Sequence, residues 1–240
     1  ILLPWQCGQE FGNSVALLLS GKLTPSGKLP MTWPVAYQDA ASSKNFPSEA
    51  NYGDIVQKDP EKVANMKNVG YTNYDEDIYV GYRYFDTFGK NVSYPFGYGL
   101  SYTTFAYGKP TITDNGKNVT VSVEITNNGN REGKEVVELY VKAPKGSVEK
   151  PSQELKGFAK TRTLRPGESQ ILSMTVDKKD LASFVTKNSA WVVDPGTYTF
   201  SVGASSRDIK GSVFLKVKKH IEKVHNVLKP VEKLNLLTRK

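Results

Sequence analysis

From about residue 107 onward the chain alternates apolar and polar residues with a period of two. In "VTVSVEIT" (119–126), Val119, Val121, Val123 and Ile125 share one side, with Thr120, Ser122 and Glu124 on the other. Successive side chains of a strand point to opposite faces, so this pattern predicts a half-buried β-strand. Similar alternation marks "VVELYVK" (136–142), "ILSMTV" (171–176), "TYTFSVG" (197–203) and "SVFLKV" (212–217), and "QELKGF" (153–158) and "AWVV" (190–193) add two shorter candidates. The turn residues between them sit where hairpins need them, in "DNGK" at 114, "NNGN" at 127, "RPGE" at 165 and "DPGT" at 194.

Seven or eight strands without a helix long enough for a crossover predict an antiparallel β-sandwich over residues 107–218. No Cys-Trp-Cys pattern is present, which favours the fibronectin type III-like form over the immunoglobulin form. Upstream the period changes. "GQEFGNSVALLLSG" puts Phe11, Val15, Leu18 and Leu19 on one helical face, and Gly21 falls at the C-cap position. Residues 1–5 read as the end of a buried strand, and "KLPMTWP" as a short extended piece between Pro30 and Pro34. Together, residues 1–34 predict the last unit of an α/β layered domain too short to be complete. Residues 35–106 form a polar, then aromatic-rich connector, in which "IYVGYRYFD" (78–86) reads as extended; residues 219–240 form a basic tail lying over the surface.

Composition changes this picture little. A 38% hydrophobic share with 11% aromatics supports a packed core, and 20 glycines with 13 prolines suit a turn-rich, mostly β chain. The net charge of +8 comes from lysines spread along the sequence, with no Arg-rich or zinc-finger spacing, so no nucleic-acid partner is expected. No apolar run reaches 18 residues, so no membrane-spanning helix is expected. Cys7 is the lone cysteine; with no second thiol it forms no intrachain disulfide, and its apolar neighbours predict a buried structural thiol. His220 and His225, the only histidines, both lie in the tail, which argues against a histidine triad or a zinc site. The chain opens on an apolar run without methionine and reads as a piece of a longer protein.

Local candidates for chemistry are few. Asp75, Glu76 and Asp77 lack the glycine-anchored spacing of a calcium loop, so a solvated acidic turn is expected and no metal. Asn91 and Asn118 head Asn-x-Ser/Thr triplets that chance alone supplies at this length. No cofactor motif appears.

Longer motifs say more. "WQCGQEFGNSVALLLSGKLTPSGKLPMTWP", "EDIYVGYRYFDTFGKNVSYPFGYGLSYTTF", "TNNGNREGKEVVELYVKAP", "ELKGFAKT" and "GTYTFSVGASSRDI" resemble, in this order, the C-terminal portion of glycoside hydrolase family 3. The resemblance implies a parent of three parts: a (β/α)8 barrel, an (α/β)6 sandwich domain and a fibronectin type III-like domain. It implies retaining hydrolysis of β-glucosides, with β-xylosidase or exo-glucanase specificity as alternatives, and a free-standing β-sandwich carbohydrate-binding or adhesion module as the reading outside that class. The family's nucleophilic aspartate and acid/base glutamate are implied to lie before Ile1, so no catalytic residue is assigned here. Gln9 and Glu10, at the start of the predicted helix, are the only residues carried over as contacts of the active-site region. The missing barrel and the remainder of the (α/β)6 domain are the implied partners, and the aromatics of 79–107 the implied filling of the seam with that domain. Without those parts, residues 1–105 are expected to be poorly ordered or held by another copy or chain, while 107–217 fold alone.

Overall fold

The computed structural model describes residues 1–44, 74–225, 233 and 235–239. Its centre is the predicted sandwich. In one sheet β5 (Asn118–Asn127) is flanked by β8 (Ser169–Asp177) on one edge, and on the other by β3 (Phe105–Tyr107) and β4 (Thr111–Asp114) in succession. The second sheet runs β12–β11–β6–β7, with β6 at Val136–Lys142, β7 at Glu154–Lys160, β11 at Gly196–Ser205 and β12 at Asp208–Val217. All these pairings are antiparallel.

The alternation explains the core. Val119, Val121, Val123 and Ile125 of β5 are buried with Leu172, Met174 and Val176 of β8, against Val137, Leu139 and Val141 of β6 and Tyr198, Phe200 and Val202 of β11. Each such side chain contributes about 1.5–3 kcal/mol relative to exposure. The predicted turns close as expected: Gly116, Gly167 and Gly196 have positive φ, and the Gly116 amide donates to Asp114 Oδ1 at 2.8 Å. Asn127, fully buried, staples the end of β5. It donates through Nδ2 to Arg131 O at 2.7 Å and Leu164 O at 2.8 Å, while Oδ1 accepts from Thr103 Oγ1 at 2.7 Å and Gly129 N at 3.1 Å.

Four expectations are corrected. Residues 78–86 are not extended: α2 (Tyr82–Thr87) is a short helix entered through Gly81 at φ +57, with the Phe85 amide donating to Gly81 O at 3.1 Å. Tyr82 and Phe85, three apart, fall on one side of it. "AWVV" forms β10 (Ala190–Val193), but outside the sandwich, in a small sheet between β9 (Ser183–Val185) and β13 (His220–Lys223). The tail is therefore partly a strand. Residues 1–5 form no strand; Trp5 is exposed with φ +55. Among the described residues no neighbouring strand is there to pair with them.

The fourth concerns the connector's packing, which is shared: Tyr94 and Tyr102 meet Trp33 and Leu18 of the N-terminal segment, while Tyr79 and Tyr82 fill a seam with the fibronectin-like sandwich. The Tyr82 ring centroid lies 5.0 Å from that of Phe96 and 5.9 Å from that of Tyr140 on β6, and the Leu155 amide donates to Tyr82 Oη at 2.7 Å. Tyr79 and Phe85 are buried. Arg207 clamps α2 from the β11–β12 turn, with Nε on Asp86 Oδ1 at 2.6 Å and Nη2 on Lys90 O at 2.8 Å.

Candidate functional site

The N-terminal segment supplies the helix predicted from its apolar face, α1 (Phe11–Leu19), ended by Gly21 at φ +71. A helix leaves its last carbonyls without intrahelical donors. Here the chain's own turn supplies part of the donors, the Gly21 amide to Leu18 O at 3.0 Å, and distant side chains add to them: Tyr102 Oη donates to Leu18 O at 3.0 Å, and just past the helix Arg131 Nη1 donates to Gly21 O at 2.8 Å. Thr24 Oγ1 adds a bond to Glu132 O at 2.7 Å. None of the helix's residues is buried. Val15 and Leu18 line a trough of about 1130 Å³ with Leu2, Leu3 and Trp33, floored by Glu132, Gly133 and Lys134. Among the described residues Glu132 is the only carboxylate in its lining. The face drawn from the sequence is thus in place, and no described residue covers it.

Gln9 and Glu10 are both exposed at the start of α1 and do not line that trough. Glu10 holds the N-cap position without a side-chain cap bond; instead Oε2 accepts from Asn13 Nδ2 at 2.6 Å. Cys7 is exposed rather than buried, its thiol donating to Pro4 O at 2.7 Å, because the apolar residues around it have no covering layer. The acidic turn is not wholly solvated either: Glu76 is 9% exposed. No group of three metal-capable side chains occurs among the described residues.

The second constellation was not singled out from the sequence. Leu29 pairs with the signature loop on one side, its amide donating to Tyr98 O at 2.8 Å and its carbonyl accepting from the Gly97 amide at 2.8 Å. Trp33–Pro34 (β1) pairs antiparallel with Val92–Tyr94 (β2), bringing the Trp33 and Tyr94 rings edge to face at 6.4 Å. Beneath them lies a polar knot. Lys28 Nζ pairs with Glu135 Oε1 at 3.1 Å, Tyr107 Oη donates to the same oxygen at 2.8 Å, and Tyr140 Oη donates to Glu138 Oε2 at 2.6 Å. Burial, reinforced by the neighbouring carboxylates, raises the Tyr107 and Tyr140 hydroxyls, so both remain protonated donors. The glycines of "PFGYGLSYT" now have a physical reason. A Cβ on Gly99 would run into Gly27 O, and one on Gly97, at φ +81, into the Glu138 carboxylate.

Comparison with known proteins decides what this arrangement is part of. Residues 1–102 match the Glycosyl hydrolase family 3 C-terminal domain, and 135–206 match the Fibronectin type III-like domain. The chain belongs to glycoside hydrolase family 3, as its C-terminal portion. The solved structure of β-glucosidase 3B from Thermotoga neapolitana, in complex with α-D-glucose, superposes with a TM-score of 0.82 at 46% identity, over 92% of this chain and 29% of that one. Beta-glucosidase A of Butyrivibrio fibrisolvens is 39% identical over 232 residues, 88% of this chain and 26% of the relative. An exo-alpha-(1->6)-L-arabinopyranosidase of Bifidobacterium longum is 37% identical, over 89% of this chain and 26% of the relative. The chain therefore spans between a quarter and a third of the length of these family 3 relatives.

Proposed function

We propose that these residues serve a retaining β-glucosidase, as the portion that frames the catalytic domains without supplying a catalytic carboxylate. The observation that carries this reading is the trough under α1. A retaining glycosidase works with two carboxyls about 5–5.5 Å apart, and among the described residues the trough's lining offers Glu132 alone. Glu135, Glu138 and Asp194 are closed into the fold by their own hydrogen bonds. The names of the T. neapolitana and B. fibrisolvens relatives support glucoside chemistry.

In this reading the chain divides into 1–34, the end of an (α/β)6 sandwich domain; 35–106, the connector; 107–218, the fibronectin type III-like domain; and 219–240, the tail. The uncovered face of α1 and the trough receive the remainder of the (α/β)6 domain, and a (β/α)8 barrel completes the enzyme. Gln9 and Glu10, which do not line the trough, are contacts of the active-site region in this reading. The B. longum relative supports a second specificity, cleavage of a terminal L-arabinopyranose, on the same scaffold.

Hydrolysis of aryl β-D-glucoside and aryl α-L-arabinopyranoside is to be measured with the 240-residue chain alone and with the chain joined to its upstream portion. Activity of the joined protein only, with the glucoside preferred, is expected. Turnover by the chain alone means that a carboxylate pair works within these residues and overturns the proposal.

A further inference from the structure

Glu138 occupies an unusual place. Its strand neighbours Val137 and Leu139 point into the sandwich core, so its own side chain points out of the sheet. It is nevertheless only 4% exposed. The cover is the 96–99 loop, anchored where the Ser206 amide donates to Phe96 O at 2.9 Å and where Gly97 lies directly against the carboxylate. Among the described residues the charged and titratable groups around it are few, and the charge of Asp86 on α2, near Tyr140, is already met by Arg207 at 2.6 Å. Tyr140 on β6 donates to Oε2; Lys28, from the segment after α1, and Glu135, just before β6, form an ion pair at 3.1 Å; Tyr107 on β3 holds Glu135; and Tyr82 on α2 packs on Tyr140. One cation thus stands beside two carboxyl groups.

We propose that this joint is a proton-linked latch: the 96–99 loop is clamped to the sandwich while Glu138 carries a proton, and loosens when Glu138 ionises. With Glu138 neutral, Lys28 and Glu135 cancel each other's charge. With Glu138 ionised, one negative charge is left in excess in a site closed to water, and the relief is to lift the loop and admit solvent. Burial, and less so Glu135, raise the Glu138 carboxyl to about 7 from an ordinary 4.5, against the opposing pull of the Tyr140 hydroxyl and Lys28. The sign follows from linkage. Below about 4.5 the carboxyl is protonated with the loop closed or open, and closure carries no penalty. Between 4.5 and 7 only the closed form keeps the proton, so closure weakens as the pH rises; above 7 it levels off. Over the range from pH 5 to 8 the closure constant falls on the order of 50- to 100-fold. Because the loop carries the bonds to Leu29, the latch sets how firmly the segment around Leu29 is seated on the sandwich.

The test is amide hydrogen exchange of the 240-residue chain from pH 5 to 8, corrected for the intrinsic pH dependence of exchange. Protection at Ser206 and Gly97 is expected to fall on the order of 50- to 100-fold, while the β5–β8 ladder amides hold steady; E138Q, which keeps the acceptor for Tyr140 but cannot ionise, is expected to abolish the slope. Should E138Q not fold, the 13C titration of the Glu138 carboxyl in the unaltered chain decides, with a midpoint near 7 coinciding with the loss of protection. A flat profile at Ser206 and Gly97, an equal fall throughout β5, a slope retained in E138Q, or a Glu138 midpoint near 4.5 each overturn the latch.

Discussion

Asn127 is the side chain whose loss the structure prices most directly. Its substitution to alanine, Asn127→Ala, removes two buried hydrogen bonds, from Thr103 Oγ1 and to Leu164 O, and two half-buried ones, to Arg131 O and from the Gly129 amide. The four are not equal. Leu164 O keeps the Gly133 amide at 3.1 Å, so its loss is a partial one. The Thr103 hydroxyl, on a residue 8% exposed, is left without its acceptor and costs about 1–2 kcal/mol. The half-buried pair is partly replaced by water, at roughly 0.5 kcal/mol each. The sum is about 3 kcal/mol, which in a chain of this size lowers the midpoint of thermal unfolding by roughly 6–12 °C. Thermal unfolding followed by circular dichroism of the β-signal measures it, with Thr103→Val as a second arm. That variant removes one of the four bonds, so it should cost about 1 kcal/mol and add less than fully to Asn127→Ala. Ser122→Ala is the control, because its bond to Ser173 at 2.8 Å lies on an exposed face and should be worth under about 0.5 kcal/mol. A loss below about 1 kcal/mol for Asn127→Ala, or one no larger than that of Ser122→Ala, refutes the reasoning.

Two further perturbations test the same structure. Lys150 and Asp194 form an ion pair at 2.5 Å between side chains 10% and 6% exposed; Lys150→Met should destabilise by about 2–3 kcal/mol at pH 7, because the remaining Ser147 contacts leave the Asp194 charge uncompensated. Burial raises the Asp194 carboxyl, but the bonds from Lys150 and Ser147 outweigh it and hold the carboxyl below its ordinary 3.8; its stabilisation is therefore present above that value and lost as the pH falls through the depressed one, a loss that unfolding scans between pH 2 and 6 should find diminished in Lys150→Met. Gly99→Ala drives a Cβ into Gly27 O, and relieving it separates the segments joined at Leu29 and Tyr98; exchange at Leu29 and Gly97 should accelerate while β5 is unchanged, and equal protection in both proteins counts against the packing reason given for this glycine.

The sandwich was legible in the sequence because the information it uses is local. Val119 to Ile125 alternate on a strand whatever surrounds it, and Gly116 and Gly167 sit at turns because φ is positive there. The apolar face of α1 was legible for the same reason, as 3.6-residue spacing needs no partner to be read. What covers a surface is not local, and there the sequence alone was insufficient. Glu138 and Tyr140 look like the solvent side of β6, and the structure buries them because the 96–99 loop and α2 cross that face. The "AWVV" strand was readable as a strand, but its place beside β13 depends on a return of the chain some 30 residues later. Tyr102 and Arg131 show the same division: nothing in their neighbourhoods announces that one donates to the last turn of α1 and the other to Gly21 just after it. Periodicity and turn chemistry determined the elements and the family motifs; tertiary structure decided which faces became interior, since burial belongs to pairs of surfaces and only one of each pair is written in any stretch of sequence.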